Sequence, residues 1–387
     1  MGDVREAIAD VNIITNQKEH YFFGYYDLQP YDSTDERHLC HRVKFIDRLP
    51  TVNDVCELGY IEIATGEFVK LAETTAWNFQ QGALLQWYQD DEHIAYNVRT
   101  ENGFGTAIQN IITGETRTLP MAAANISKDG KYGLCVNMSR IYDFRPGYGY
   151  SDALDKYGAV NAPAEDGVFL MDMETGDTKQ IISYADIIKQ FPQEPYSSCK
   201  LVINHITFNP RGNRFLFLLR NFFKEGVMWN TQLITSDLEG NMCLLSDYIS
   251  NSHYHWKNDE QILIVTSHTG TVRDNLCLRD DFTGKTIMYD LPELHEDIHC
   301  LYSPNLRYVL GDGYPDEEKY RKLYLYDTEK HEIQLLLKAY SYPPSVTDIR
   351  CDLHARWNHK GNKISFDSNH IGGRCICEVD LSNIVEY

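Results

Sequence analysis

The 387-residue sequence contains no apolar run that approaches the roughly 20 residues of a membrane-spanning helix. Residues 1–19 carry acidic side chains and no apolar stretch of signal-peptide length. Positive charge is scarce as well, because 36 Lys and Arg residues stand against 56 Asp and Glu residues, giving a formal net charge of −20. Nucleic acids and anionic membranes both attract clustered positive charge, so we expect neither as a partner. We expect a cytoplasmic protein, with an anionic small substrate possible only where Arg and His gather locally; the oligomeric state is not indicated.

The CxxC pairs of many thiolate metal sites are missing too. Ten cysteines are scattered along the chain, and only Cys375 and Cys377 are closely spaced. This pattern favours reduced cysteines packed in the core over disulfides or a thiolate metal site. What the chain does have is 43% hydrophobic and 12% aromatic residues, which excludes a disordered or fibrous protein.

Short strand-like runs recur along the sequence, and two kinds of turn separate them. The first kind carries a central glycine, as tight hairpins do, and occurs at residues 65–67, 113–115, 175–177, 239–241 and 283–285. The second kind lies earlier in each unit, at residues 128–131, 209–212, 303–305 and 358–361. The runs that follow it, such as residues 214–218 and 363–366, have the composition of strands.

The repeats divide the chain into about seven units of roughly 40 to 60 residues with four strands each, which predicts a β-propeller. We therefore expect an all-β fold, a seven-bladed β-propeller that forms a single domain over residues 1–387. The expected blades cover approximately residues 20–72, 80–119, 122–183, 203–247, 253–293, 298–337 and 351–387.

Three local features accompany the blades. Residues 11–14 read as a strand that closes the last blade. Residues 183–190 are predicted to form a short helix, because Ser183 is a good cap and Asp186 follows three positions later. Residues 140–167 form the longest irregular stretch, and their aromatic content favours a binding loop.

Four units open with a histidine that is followed three positions later by an aromatic residue. The pairs are His205 with Phe208, His253 with Trp256, His299 with Tyr302, and His354 with Trp357. Because the first strand of a propeller blade is innermost, these histidines are expected to converge near the axis at one mouth, as polar groups in a binding site do. The alternative interpretation is that each histidine only caps a neighbouring strand.

Alternation along a strand places residues two positions away on the same face as each histidine. This adds Asp297, Asp352, His255 and Arg356. A carboxylate beside an imidazole either orients the ring or joins it as a metal ligand. We therefore predict a divalent-cation site made by His299, His354 and Asp352, since imidazole and carboxylate suit Mn, Zn or Fe.

Basic, amide and aromatic residues expected near the same mouth are candidates for substrate contacts. Arginine recognises carboxylates through paired hydrogen bonds. Arg220 stands out because it follows the apolar run 215–219, and burying a charge there is costly unless the charge has a structural or functional role. The predicted substrate-binding residues are Arg42, Arg48, Gln80, Gln81, Arg145, Tyr148 and Arg356.

Several short segments resemble the oligogalacturonate lyase family, within the wider group of TolB-like propellers, and the resemblance extends over essentially the whole chain. The segments are Asn204-His205, Leu218-Leu219-Arg220, Ser252-His253, residues 297–300 and residues 352–357. The resemblance implies β-elimination of uronic-acid oligosaccharides, with an arginine as base and a histidine-bound Mn ion on the substrate carboxylate. Carried over by position, Arg220 is the base, His253 its helper, and His299 and His354 are metal ligands.

The last blade departs from the family pattern, because Cys351 and Arg356 stand where the family has a Gln and a second His. Arg356 is then expected to help neutralise a carboxylate, and the uronate need not be galacturonate. Because guanidinium rarely loses a proton, His205, His253 or His255 is an alternative base.

Two other functions stay open. A propeller glycoside hydrolase needs paired carboxylates, for which Asp27, Glu57, Asp297 and Asp352 are candidates. A non-catalytic propeller that binds sugars or proteins would use the same histidines structurally.

Overall fold

The computed structural model describes residues 2–192, 196–226, 229–245, 250–267, 274–289, 291, 293 and 296–387. Within these residues the strands form seven sheets, six of four strands and one of five, together with two short α-helices. The fold is a seven-bladed β-propeller, which confirms the prediction from the repeats.

The strands of the first four blades follow one another along the chain, after two N-terminal strands, β1 (Val4–Arg5) and β2 (Val11–Ile13). The first blade contains β3 (His20–Phe22), β4 (Arg37–Val43), β5 (Cys56–Glu62) and β6 (Glu67–Thr74). The second contains β7 (Gln86–Tyr88), β8 (Asp90–Thr100), β9 (Gly103–Asn110) and β10 (Thr116–Leu119). The third contains β11 (Ala123–Ile126), β12 (Tyr132–Cys135), β13 (Gly167–Asp172) and β14 (Thr178–Ser183). The fourth contains β15 (Leu201–Phe208), β16 (Arg214–Asn221), β17 (Thr231–Asp237) and β18 (Met242–Leu244).

The last three blades complete the series. The fifth contains β19 (Ser250–Trp256), β20 (Gln261–Ser267), β21 (Asp274–Asp280) and β22 (Thr286–Met288). The sixth contains β23 (His299–Tyr302), β24 (Tyr308–Asp312), β25 (Tyr320–Asp327) and β26 (Glu332–Tyr340), and β1 adds a fifth strand to it. The seventh contains β27 (Arg356–Trp357), β28 (Lys363–Ser368) and β29 (Cys375–Asp380), and β2 adds its fourth strand.

The N-terminal strand β2 therefore belongs to the last blade. Ile13 pairs with Cys377 and Val11 with Val379 in antiparallel register. The interpretation of residues 11–14 as the closing strand of the last blade is thus confirmed for Val11–Ile13.

The chain divides into two compact units. The first comprises Met1–Asn97, Ala107–Arg117 and Leu291–Tyr387, and the second comprises Val98–Thr106 and Thr118–Asp290. Blades one, six and seven lie in the first unit, blades three to five lie in the second, and the second blade contributes to both. A single-domain organisation therefore stays a prediction.

The two helices show one confirmed and one missed prediction. Helix α2 (Tyr184–Gln190) begins with the predicted capping box, in which Ser183 Oγ accepts from the backbone N–H of Asp186 and the Asp186 carboxylate accepts from that of Ser183. Helix α1 (Met138–Phe144) was expected to be irregular chain beyond residue 140, but the Asn137 side chain caps it by accepting from the backbone N–H of Arg140.

The rest of the predicted binding loop is organised by a buried charge. The fully buried Arg140 pairs with Asp155 at 3.1 Å and donates to the carbonyl oxygens of Leu201, Val160 and Asn161. These bonds satisfy the guanidinium, so Arg140 has a structural role in holding this segment.

Candidate functional site

Two histidines and one aspartate come together in the first unit. His299 begins β23 and pairs with Asp312, the last residue of β24. Asp352 and His354 lie just before β27, in the segment that enters the last blade. One ligand atom from each of His299, Asp352 and His354 lies within 4.8 Å of the others, and each residue is only 3% exposed. The structure thus brings together the three residues that the sequence predicts as metal ligands.

An unusual backbone conformation orients His354. Its φ angle is +45°, in the left-handed region that few residues other than glycine adopt. The corresponding residues of two other blades, Leu84 and His205, have φ angles of +54° and +61°. At His205 the register between β15 and β16 shifts between Asn204 and Ile206, which is a β-bulge. Bulges redirect side chains, so the strict alternation used in the sequence analysis does not hold here.

Both histidines use Nδ1 for a hydrogen bond that fixes the ring. His354 Nδ1 lies 2.7 Å from the carbonyl oxygen of Gly24, and His299 Nδ1 lies 3.2 Å from Asp312 Oδ2. Carbonyl and carboxylate oxygens only accept, so each Nδ1 carries a hydrogen, and in a neutral ring Nε2 then keeps its lone pair. The two Nε2 atoms nevertheless face each other at 3.2 Å. Two lone pairs at this distance repel, and a cation shared between them removes the repulsion.

The carboxylate of Asp352 lies between two buried guanidinium groups. Arg321 Nη2 is 2.8 Å from one oxygen, and Arg350 Nε is 2.7 Å from the other, which lies 3.9 Å from His354 Nε2. Burial raises the pKa of Asp352, but the positive charges of Arg321 and Arg350 outweigh this and hold that pKa well below its usual range. Burial, together with the nearby His299, lowers the pKa of His354 well below its ordinary value. At neutral pH the cluster therefore offers an ionised carboxylate and a neutral imidazole.

Two tyrosines from the segment after β3 cover the histidines. The ring of Tyr25 meets that of His354 edge-on at 5.1 Å, and the ring of Tyr26 lies 5.4 Å from that of His299. Both tyrosines are buried. They restrict the access of water to the cluster, which strengthens its electrostatic interactions.

Arg356 holds this tyrosine segment in place. It pairs with both oxygens of Asp367 at 3.2 Å and donates to the carbonyl of Gly24 at 2.6 Å. Asp367 in turn accepts from the backbone N–H groups of Phe23 and Gly24. Arg356 thus contacts the same carbonyl as His354, while a substrate-binding role for it stays a prediction.

The second unit contains the candidate acid–base residues. Arg220 is buried on β16, and its guanidinium lies 5.3 Å from the centre of the Trp229 ring. His253 is also buried, with Nδ1 3.5 Å from Ser252 Oγ. Burial lowers the pKa of His255 to about 4. The catalytic roles of these residues stay predictions.

His205 has two neighbours that the sequence also singled out. The rings of His205 and Tyr148 meet edge-on at 5.3 Å, and the guanidinium of Arg145 lies 4.8 Å from the centre of the Tyr148 ring. Tyr148 is buried, so it is a ring that supports His205 in this structure.

The remaining predicted substrate contacts are engaged with protein groups. Arg42 pairs with Glu57 at 2.6 Å, and Arg48 makes two bonds of 2.7 Å to Asp54. Gln80 is buried and donates to the backbone carbonyl of Arg350 at 2.9 Å, and the Arg350 side chain in turn contacts Asp352. The half-buried Gln81 follows it. Substrate binding by these four residues stays a prediction.

The groups that support the cluster were not among the residues predicted from the sequence. Asp312 lies on β24 and Arg321 on β25, so the folding of the sixth blade brings them to the cluster, whereas Arg350 lies in the segment before β27, two residues from Asp352. The sequence also contains a His-Glu-Asp-Ile-His pattern at residues 295–299 that was not among the predicted motifs. His299 begins a strand, so the helical spacing that makes this pattern a zinc site is absent at His299, and His295 lies outside the described residues.

No protein-family model matches the sequence, and no curated protein is similar enough in sequence to count as a relative. Among solved structures, an oligogalacturonate lyase from Vibrio parahaemolyticus matches with a TM-score of 0.70 at 14% identity over 98% of both chains. An oligogalacturonate lyase in complex with manganese matches with a TM-score of 0.71, also at 14% identity, over 98% of this chain and 96% of the other. The fold is that of the oligogalacturonate lyases. A more distant match is the propeller domain of the trilobed protease of Pyrococcus furiosus, with a TM-score of 0.54 at 10% identity.

The residues at the cluster are compatible with the divalent ion bound by one of these lyases. With metal–nitrogen bonds of about 2.1 Å, two nitrogen ligands of one ion lie about 3.0–3.5 Å apart, and the Nε2 atoms of His299 and His354 are 3.2 Å apart. Two imidazoles and a carboxylate suit Mn²⁺.

In the described part of the chain, no helix has the length and hydrophobicity that crossing a membrane requires.

Proposed function

We propose that this protein is a lyase that cleaves uronic-acid-containing oligosaccharides by β-elimination. The observation that carries the proposal is the pair of Nε2 atoms 3.2 Å apart beside Asp352, each orientated through Nδ1. A cation shared by the two nitrogens fits this spacing, and a cation is what an eliminating enzyme needs next to a uronate carboxylate. The fold of the oligogalacturonate lyases supports the same reading.

We propose His299, His354 and Asp352 as the residues that hold the ion, and Mn²⁺ as that ion. When bound, a divalent ion supplies positive charge that stabilises the substrate carboxylate as its neighbouring carbon loses a proton. Asp312 and the Gly24 carbonyl keep both imidazoles in the required tautomer. Tyr25 and Tyr26 keep water away from the histidines.

The elimination itself requires a base and an acid. A base removes the proton next to the carboxylate, the bond to the glycosidic oxygen breaks, a carbon–carbon double bond forms, and the departing oxygen takes up a proton. Arg220 keeps the role of base that the resemblance implies, with His253 as its helper. His205 is the alternative base, whereas His255 is less suited because a pKa of about 4 makes it a weak acceptor at neutral pH.

The hydrolase alternative has less support from the carboxylates. A glycosidase acid needs a raised pKa, yet the Arg42 hydrogen bond lowers the pKa of Glu57, and two arginines lower that of Asp352. Both groups are therefore ionised at neutral pH and unable to protonate a leaving oxygen.

The test is an assay of oligogalacturonate, glucuronate-containing and ulvan-type oligomers, followed by ultraviolet absorbance of the unsaturated product and by reducing ends. We expect a new chromophore that requires a divalent ion and disappears in His354→Asn, a variant that tolerates the left-handed backbone. His331→Asn is the matched control, since exposed His331 also has a positive φ angle, of +57°. Reducing ends without the chromophore would mean hydrolysis, and binding without any product would mean a non-catalytic propeller.

A further inference from the structure

A second group of metal-ligating side chains lies in the hairpin between β28 and β29. Cys375 and Cys377 are two residues apart on β29, so their side chains lie on the same face of the strand. His370 lies in the turn that joins the two strands. One ligand atom from each of the three residues lies within 4.8 Å of the others. None of these residues belongs to the His299 cluster.

The distances match those of ligands around one small ion. The two sulfur atoms are 3.9 Å apart. With metal–sulfur bonds of about 2.3 Å, two thiolates on a tetrahedral or trigonal ion lie about 3.8–4.0 Å apart. His370 Nδ1 lies 2.8 Å from the Ser368 hydroxyl, which orients the ring, whereas the Cys375 thiol donates to the Ser368 carbonyl at 3.5 Å and would give up this bond on binding an ion as a thiolate.

The surroundings favour a bound ion over three separate polar groups. Both sulfur atoms belong to residues that are 0% exposed, and His370 is 7% exposed. Cys375 and Cys377 are part of the hydrophobic core of the last two blades, and Phe366 on β28 pairs with Cys377. An imidazole held next to two thiols in such a core is more costly to bury than aliphatic side chains would be, and coordination recovers that cost.

We propose that His370, Cys375 and Cys377 bind a soft, thiophilic d¹⁰ ion, either Zn²⁺ or Cu⁺. Two thiolates and one imidazole prefer such an ion over Mn²⁺, which prefers oxygen and nitrogen ligands. The protein then has two metal sites, one that prefers Mn²⁺ at His299, His354 and Asp352, and one with a structural role that prefers a thiophilic ion at His370, Cys375 and Cys377. Because Ile13 pairs with Cys377, the ion fastens β29 at the point where the closing strand β2 joins the last blade.

The test starts with the intact protein, purified without chelators, and measures its zinc, copper and manganese content. The metal-free protein is then titrated with Co²⁺ under anaerobic conditions, because thiolate-bound cobalt gives a charge-transfer absorption that histidine–carboxylate sites lack. Zinc release to a chromogenic chelator and Cu⁺ competition with a copper(I) chelator distinguish the two ions. We expect one equivalent of thiolate-bound metal and a melting temperature that falls when this metal is removed.

Variants assign the signal to these residues. The double variant Cys375→Ser, Cys377→Ser is expected to abolish the cobalt–thiolate absorption, whereas the matched control Cys135→Ser, another fully buried free cysteine, keeps it. His299→Ala is expected to leave it unchanged. If the double variant does not fold, thiol labelling of the wild type replaces it, since bound metal should protect two thiols that become reactive after chelation. Absence of the thiolate absorption in the wild type, or its persistence in the folded double variant, would overturn the proposal.

Discussion

The carboxylate of Asp312 is the part of the candidate metal centre whose contribution is easiest to isolate. It accepts from His299 Nδ1 at 3.2 Å and from the backbone N–H of His354 at 3.3 Å, so it orients both histidines without being one of the proposed ligands. Replacing a group that orients a metal-bound histidine costs roughly 10–100-fold in metal affinity. This corresponds to about 1.4–2.7 kcal/mol of binding free energy.

We expect Asp312→Ala to weaken Mn²⁺ binding by about 10–100-fold, and Asp312→Asn to weaken it less, because an amide oxygen still accepts the Nδ1 hydrogen. The affinity is measured by isothermal titration calorimetry or by electron paramagnetic resonance of free Mn²⁺. Asp327→Ala serves as the matched control, since Asp327 is an ion-paired aspartate of the same blade that has no contact with the histidines in the described hydrogen bonds.

Two results would refute the reasoning. Equal Mn²⁺ affinity in the wild type and in a folded Asp312→Ala variant would show that His299 does not need its carboxylate partner. Equal losses in Asp312→Ala and Asp327→Ala would show that the effect is a general loosening of the blade. Circular dichroism and the melting temperature establish that each variant is folded.

Three further predictions concern stability. Burial lowers the pKa values of His38 and His41 to about 3, so below pH ~6.5 these two histidines bind protons in the unfolded chain but not in the native state. The free energy of unfolding should therefore fall by about 2–3 kcal/mol per pH unit between roughly pH 6 and pH 4. Equal urea midpoints at pH 7 and pH 5 would contradict this. The Arg307 hydrogen bond lowers the pKa of Asp327 to about 2, so its stabilisation is complete above pH ~4 and is lost as the pH falls towards 2; Asp327→Asn should cost about 1 kcal/mol at pH 7 and nothing at pH 2 by chemical denaturation. Phe366→Ala, in the fully buried core of β28, should lower the free energy of unfolding by about 3–5 kcal/mol. A loss below about 1 kcal/mol in urea denaturation would show that this core is loosely packed.

The blades were predictable because their turns have local signatures. Gly66, for example, has a φ angle of +71°, which glycine adopts readily, so a glycine between two strand-like runs is enough to predict a tight hairpin. The capping box at Ser183 is equally local. Helix α1 was missed although Asn137 is a good cap, because the proline and glycines that follow residue 145 suggested an irregular loop.

The groups that support the cluster of His299, Asp352 and His354 were not predictable for a physical reason. His299 contacts Asp312 because of the register between β23 and β24. His354 contacts the backbone carbonyl of Gly24, and a backbone carbonyl is present at every residue, so the sequence does not single it out. The positive φ of His354 also breaks the alternation on which the sequence argument relied. His299 and His354 were found because histidine recurs at one position of the repeat, whereas the groups that orient the two rings are set by contacts between distant segments.

The pairing of β2 with β29 and of β1 with β26 has a consequence for how the chain folds. The outer edge of the last blade is provided by β2 (Val11–Ile13), while the strand it joins is β29 (Cys375–Asp380), so this blade is completed only through a contact between segments far apart in the sequence. Deleting residues 2–15 would leave two unpaired edges with free amide and carbonyl groups, which recruit other chains. A circular permutant that joins residue 387 to residue 2 and opens the chain elsewhere would turn this distant contact into a local one, and it should refold faster than the parent.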